Sequence, residues 1–180
     1  MALQTINPTY LGNGITNSQL ATPGKVLQVI QATDSGVTST TSATPVDFGL
    51  SANITPSSTS NKILATVDFA FGGTNDEYPY ILLLRDSTSI GVGSGATGTQ
   101  INTFMSGCFT AIGSMIYRMH QFSKTYLDSP STTSEITYKL QWAVPYQSGA
   151  TTYANRAENN SNNTFVQHVT SNLTLMEISA

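Results

Sequence analysis

Two stretches of the chain alternate strictly between apolar and polar side chains, residues 62–71 and residues 135–144. Successive side chains of an extended strand point to opposite faces, so a period of two marks a strand with one buried face. The core-facing positions are Ile63, Ala65, Val67, Phe69 and Phe71 in the first stretch and Ile136, Tyr138, Leu140, Trp142 and Val144 in the second. The pattern therefore predicts two strands that pack against a common core.

Shorter apolar runs separated by turn residues fill much of the remaining chain. Residues 80–85 are apolar at successive positions, which predicts a strand buried on both faces. Further strands are predicted in residues 26–31, 46–54, 151–156, 165–169 and 173–178. We expect the last of these strands to lie inside a sheet rather than at its edge.

Residues 101–126 have an ambiguous pattern, because part of it fits a helical spacing. Gly107 and Gly113 would each cost about 1 kcal/mol in a helix interior, so we interpret the segment as two strands. A short helix in residues 101–106 remains an alternative interpretation. Residues 91–99 hold four glycines and predict a flexible loop. With about eight to ten short strands and regular turns, the predicted fold class is all-β: an antiparallel β-sandwich, jelly-roll-like, spanning residues 25–180.

Residues 1–24 predict an extended N-terminal arm for assembly or anchoring, because turn pairs such as Asn7-Pro8 and Pro23-Gly24 interrupt isolated apolar residues. Such an arm is stable only against another surface. Its candidate anchors to a partner surface are Tyr10, Leu11, Ile15 and Leu20. The alternative is a frayed terminus with no role.

Only 9% of the residues are charged, and the formal net charge is −3. Without a basic cluster we expect no nucleic-acid partner, since that binding depends on Lys and Arg at phosphates. No apolar run approaches the ~18 residues of a membrane span, and the start lacks the signal-peptide pattern, so we expect no membrane partner and synthesis in the cytoplasm.

The residues that usually carry catalysis are scarce, so we expect no enzyme, no metal and no cofactor. His120 and His168 have no carboxylate at a nearby spacing. A lone cysteine, Cys108, is expected to be a small buried apolar residue. The adjacent acids Asp76 and Glu77 are expected to be solvated in a loop.

Four segments carry a resemblance to a known group of proteins: residues 54–64 (ITPSSTSNKIL), 83–91 (LLRDSTSIG), 126–138 (YLDSPSTTSEITY) and 173–178 (LTLMEI). They resemble a jelly-roll-like virion surface module of tailed bacteriophages, found in small capsid decoration proteins and at the C-terminal heads of tail fibres. The resemblance implies a homotrimer around a threefold axis. Within it, Asn61 and Asp128 are expected to bond local backbone as turn residues, and Arg85 to pair with a carboxylate.

Two functions remain open on this basis. The first is an outer capsid decoration or cement protein at the virion surface, bound to the major capsid protein or other virion proteins. The second is a receptor-binding tip or small subunit of a tail fibre that recognises host glycans. The residues with aromatic rings for sugar contacts, expected in exposed loops, are Tyr78, Tyr80, Tyr146 and Tyr153. The first is preferred because the chain has no long fibre shaft; the tyrosines then only pack strand ends.

Overall fold

A computed structural model describes residues 23–74, 77–108, 115–146 and 149–180. Within these ranges the protein is nearly all β, with one short 3-10 helix at Met115–Tyr117. The strands are β1 (Val26–Asp34), β2 (Ser39–Thr40), β3 (Val46–Ile54), β4 (Lys62–Gly73), β5 (Tyr80–Arg85), β6 (Thr88–Ile90), β7 (Met105–Ser106), β8 (His120–Asp128), β9 (Ile136–Ala143), β10 (Thr152–Ala154) and β11 (Ser171–Ile178).

The strands form two antiparallel sheets that pack face to face. In sheet A the long strands have the order β1-β11-β4-β8, and the short β10 joins the end of β4 to β2. Sheet B has the order β3-β9-β5-β6, with β7 on the start of β5. Consecutive long strands cross between the sheets, which is the arrangement of a jelly roll. The predicted fold class is confirmed, and β11 lies inside sheet A as expected.

The core lies between the sheets, and all the core-facing positions predicted from the two alternating stretches are buried. Phe48 of β3 contacts Phe69 and Trp142 edge-to-face, with ring centroids 4.8 and 5.2 Å apart. Leu173 and Leu175 of β11 are fully buried beside them. Edge-to-face contacts add about 0.5–1.5 kcal/mol per pair to the free energy of burial. The space between the sheets is therefore filled by side chains.

A polar network holds sheet A to sheet B near one end of the molecule. The Arg85 guanidinium pairs with Asp128 at 2.8 Å, which confirms the expected ion pair. The Tyr138 hydroxyl donates to the same carboxylate at 2.7 Å. Burial, together with this hydrogen bond, raises the pKa of Tyr138 well above its usual value. The expectation that Asp128 bonds local backbone is wrong, because its carboxylate accepts these cross-sheet donors.

The two ends of the sandwich differ in construction. At the terminal end, where β1 begins and β11 ends, the connections are the short segments 55–61, 86–87 and 129–135. The loop end lies at the other end of β4 and carries segment 74–79 together with the two much longer segments 107–119 and 155–170. The chain before Val26 therefore enters at the terminal end, opposite the long loops.

Several local expectations are wrong. Residues 165–169 form no strand and make only an isolated bridge between His168 and Arg156. The 3-10 helix Met115–Tyr117 lies before β8 where a strand was expected. The open alternative of a short helix in residues 101–106 is not what the structure has, since β7 ends that segment. Cys108 is exposed rather than buried. Each of these segments carries apolar residues at spacings that fit several structures, so pattern alone does not decide among them.

Glu77 is also buried, contrary to the expectation of a solvated acid. The Thr152 hydroxyl donates to one carboxylate oxygen at 2.7 Å, and the Thr74 backbone amide donates to the other at 2.8 Å. The Thr74 hydroxyl donates to that second oxygen as well. Because Thr152 is distant in sequence, no local pattern indicates this site. The carboxylate ties the loop after β4 to β10.

Candidate interaction surfaces

The predicted functional residues separate into three groups. Tyr10, Leu11, Ile15 and Leu20 lie outside the described residues. Tyr78 and Tyr146 are 43% and 55% exposed, and they contact each other edge-to-face at the loop end, with centroids 5.1 Å apart. The expectation that Tyr80 lies in an exposed loop is wrong, because Tyr80 is the first residue of β5 and is only 6% exposed.

Tyr153 differs from the exposed pair because it lies on β10 and is half-buried. The guanidinium carbon of Arg156 lies 3.9 Å from the centre of its ring, so one face of the ring is covered. Arg156 is itself fixed, since it donates to the backbone oxygens of Ala157 and Glu158. Of the four predicted tyrosines, the structure therefore brings together Tyr78 and Tyr146 alone.

A second aromatic pair at the loop end was not found from the sequence. Tyr117 and Phe165 contact edge-to-face with centroids 4.9 Å apart, and both are exposed. They line an open groove of about 490 Å³ together with Arg118, Gln121 and Gln167. The sequence pattern assigned Tyr117 and Phe165 to strands, which hid their position in irregular segments. The groove combines aromatic rings with amide and guanidinium donors.

An apolar row crosses the outer face of sheet A, the face turned away from the core. The strand register aligns one apolar residue from each of four neighbouring strands. In order across the sheet they are Val29, Met176, Leu64 and Leu127. The two at the sheet edges, Val29 and Leu127, are 56% and 50% exposed. A sheet face turned to water normally carries polar side chains, so this row is unusual for an isolated molecule.

The rows next to the apolar row, toward the loop end, are polar. They consist of Gln31, Thr174, Thr66 and Thr125, followed by Thr33, Asn172, Asp68 and Ser123. Hydrogen bonds across strands join Gln31 to Thr174 at 2.9 Å, Thr66 to Thr125 at 3.2 Å and Thr33 to Asn172 at 2.7 Å. On the terminal side, Ile178 and the exposed Leu27 extend the apolar surface, and Lys62 lies opposite Ile178.

The two histidines occupy unlike environments. His120 stacks on Phe122 with centroids 6.0 Å apart, and burial, with the nearby Arg118 guanidinium, lowers its pKa. His168 is exposed, and its Nε2 lies 3.0 Å from Asn160 Oδ1. Among the described residues, no group of three or more His, Cys, Asp or Glu side chains is placed to hold a metal ion.

No helix in the described part of the chain is long and apolar enough to cross a membrane. The chain was also compared with known families and with curated proteins. It matches no family model. No curated protein matches it either.

Proposed function

We propose that this protein is a structural subunit of the bacteriophage virion surface, an outer capsid decoration or cement protein that acts as a homotrimer. The observation that carries the proposal is the jelly-roll strand order. Jelly rolls serve as viral capsid domains, as lectin domains and as cupins. The four segments that resemble phage surface modules favour the first of these uses. Because one fold can serve many roles, the mechanism must lie in the surfaces of this molecule.

The packing between the sheets favours a structural role over a cupin-like one. A small-molecule site between the sheets would need a cavity there. In this protein Phe48, Phe69 and Trp142 occupy that space in mutual contact. An interior closed in this way leaves the outer surfaces to carry the function.

The ends of the molecule suggest how it attaches to a capsid. The arm, residues 1–24, joins the sandwich at the terminal end, so anchoring by Tyr10, Leu11, Ile15 and Leu20 turns the loop end outward. Because only 9% of the residues of the chain are charged, copies can pack densely without strong like-charge repulsion. Many copies would then reinforce the junctions between capsid subunits after assembly in the bacterial cytoplasm.

Replacing the four arm anchors together by serine tests this proposal. We expect the variant to fold and keep its oligomeric mass, because the sandwich begins after the arm, and to lose binding to purified capsids in a sedimentation assay. The matched control changes four polar residues of the arm to alanine: Gln4, Asn13, Asn17 and Ser18. Normal capsid binding by the anchor variant would contradict the decoration role.

A second candidate function, a receptor-binding tip of a tail fibre, is favoured by the two exposed aromatic pairs at the loop end. Aromatic rings beside amide donors suit sugar recognition, since a ring face is apolar while the amides bond hydroxyls. Saturable binding on a glycan array that falls at least tenfold in Tyr146→Ala or Tyr117→Ala would support this function. Val46→Ala, at an exposed position where β3 begins, is the control. Absence of any saturable binding would leave decoration as the proposal.

A further inference from the structure

We infer that the outer face of sheet A is the surface through which three copies of this chain associate, with the apolar row closing into a ring around the threefold axis. The inference rests on the proposed homotrimer and names the surface that forms it. Its starting point is the row of Val29, Met176, Leu64 and Leu127 on the outward positions of sheet A. In a monomer Val29 and Leu127 are exposed, and Met176 and Leu64 between them are partly exposed. Contiguous exposed apolar surface of this kind marks interaction sites.

The charge distribution suits contact between identical faces. Asp68 and Lys62 are the charged residues on the outward positions of the four long strands, and they lie on opposite sides of the apolar row. Lys62 Nζ already donates to the Ser129 hydroxyl at 2.7 Å. The side chains between them are apolar or hydroxyl- and amide-bearing, and many bond one another across strands. The apolar row and the polar row beside it therefore meet their equivalents without bringing like charges together. The threefold axis places the three copies of Lys62 in one layer and the three copies of Asp68 in another, on opposite sides of these rows.

The width of the sheet fits a threefold arrangement. Four strands about 4.8 Å apart make a face about 19 Å wide, and a triangle with sides of that length has its centre about 5.5 Å from each side. Packed sheets lie about 10 Å apart, so side chains extend about 5 Å from each one. Three such faces turned toward a common axis would consequently fill the space between them.

The area of the face sets the size of each contact between copies. Eight residues per strand give the face a height of about 26 Å, and so an area of about 500 Å² per copy. Each copy divides this face between two neighbours, so each pairwise contact covers about 500 Å² in all. This is below the range of about 1,200–2,000 Å² typical of a specific two-partner interface, so the three contacts must form together. A row that runs perpendicular to the strands becomes a layer perpendicular to the axis. The apolar row therefore forms one layer, and the threonine row (Gln31, Thr174, Thr66 and Thr125) forms the next.

This arrangement predicts which residues of different copies meet. Among the four long strands of sheet A, β1 and β8 are the outermost. Each corner of the triangle therefore joins β1 of one copy to β8 of the next. Val29 and Leu127 occupy these two edges within the apolar row. A copy therefore presents Val29 to one neighbour and Leu127 to the other, which is a head-to-tail contact that closes at three.

A disulfide cross-link tests the corner contact directly. The double variant Val29→Cys with Leu127→Cys, on a Cys108→Ser background that removes the exposed native thiol, is oxidised at micromolar concentration and run on a denaturing gel without reductant. We expect dimers and trimers with no larger species. Each single cysteine variant should remain a monomer on the same gel. Products that end at the dimer, or no cross-link, would overturn the arrangement.

A charge substitution gives an independent test in solution. Light scattering after size exclusion should give the wild type three times the 19.2 kDa chain mass, and Leu127→Glu the mass of one chain with an unchanged circular-dichroism spectrum. Val46→Glu places the same charge at an exposed apolar position of sheet B and should keep the trimer. A wild-type trimer that survives Leu127→Glu would refute this interface but leave the proposed homotrimer intact.

The mass in solution also distinguishes contact between copies from other ways of covering the outer face of sheet A. A monomeric wild type whose apolar dye binding increases on deletion of residues 1–22 would mean that the arm of the same chain covers the row, which overturns the inference. A monomeric wild type without that increase would overturn both the inference and the homotrimer. Capsid binding is measured separately, so the decoration role can fail while the trimer interface holds.

Discussion

Glu177 shows how single residues tie the terminal end together. Its carboxylate is 1% exposed and accepts hydrogen bonds from Asn61 Nδ2 at 2.6 Å, from Gln28 Nε2 at 2.7 Å and from the Ser57 amide at 2.7 Å. Burial raises the pKa of this carboxyl, but the hydrogen bonds outweigh burial, so its pKa lies below the usual 4.5. The ionised form therefore joins β11 to β1 and to the turn before β4.

We expect Glu177→Gln to lower the free energy of unfolding by about 2 kcal/mol at neutral pH, because an amide nitrogen replaces an acceptor that faces donors. A carboxyl whose folded pKa is lowered stabilises the protein above its unfolded pKa. The difference between wild type and variant should therefore narrow as pH falls through 4.5 and below. Urea unfolding of both proteins at several pH values measures this difference in the free energy of unfolding.

The control for this substitution is Glu135→Gln, which changes an exposed carboxylate that accepts one long hydrogen bond from Asn53 at 3.3 Å. Its effect should stay within about 0.5 kcal/mol at any pH, as surface substitutions do. A Glu177→Gln variant that behaves like this control would contradict a stabilising role for the buried carboxylate.

At the scale of elements, β4 organises sheet A because it pairs with β8 on one side and with β11 and β10 on the other. The last part of β4 lies very close to the segment after β10. A Cβ atom at Gly72 would lie 2.5 Å from the Arg156 backbone oxygen and 2.6 Å from the Ala157 Cα. Glycine is therefore required there by the approach of two backbones.

Gly72→Ala should destabilise the protein by about 2–3 kcal/mol, since neither backbone can move without breaking the pairing of β4 with β10. The matched control is Gly93→Ala, where the nearest atom to a new Cβ is Asn102 Oδ1 at 4.0 Å. Thermal unfolding of the two variants checks the prediction. Equal melting temperatures would show that the contact at Gly72 relaxes easily.

The elements predicted well from the sequence are those with long, strict alternation. In β4 and β9 every second residue is apolar, so one face has no alternative to burial. Residues 165–169 also contain apolar side chains, but the segment is too short for its pattern to specify a strand. In the structure it pairs only through the bridge between His168 and Arg156, which the sequence pattern does not indicate. The apolar row was not predictable either, because its four residues are aligned by strand register rather than by sequence spacing.

At the scale of the whole molecule, the proposed trimer and the proposed capsid contact would use different surfaces of the same chain. The start of β1 lies at the terminal end, the apolar row lies on one side near that end, and the aromatic pairs lie at the loop end. A trimer built on sheet A thus leaves the loop end free in all three copies. The same assembly suits a cement protein, which uses its arms, and a fibre tip, which would use its loops.

The nature of the proposed interface sets how the assembly responds to salt. Contacts between exposed charges weaken at high ionic strength, because the screening length falls to about 3 Å at about 1 M salt. The apolar row and the threonine row carry no charge, so the trimer mass should not change between low salt and about 1 M sodium chloride. Ammonium sulfate, which strengthens apolar association, should lower the concentration at which the trimer dissociates. Equilibrium sedimentation in both salts measures these effects, and dissociation in sodium chloride would mean that charged residues elsewhere hold the copies together.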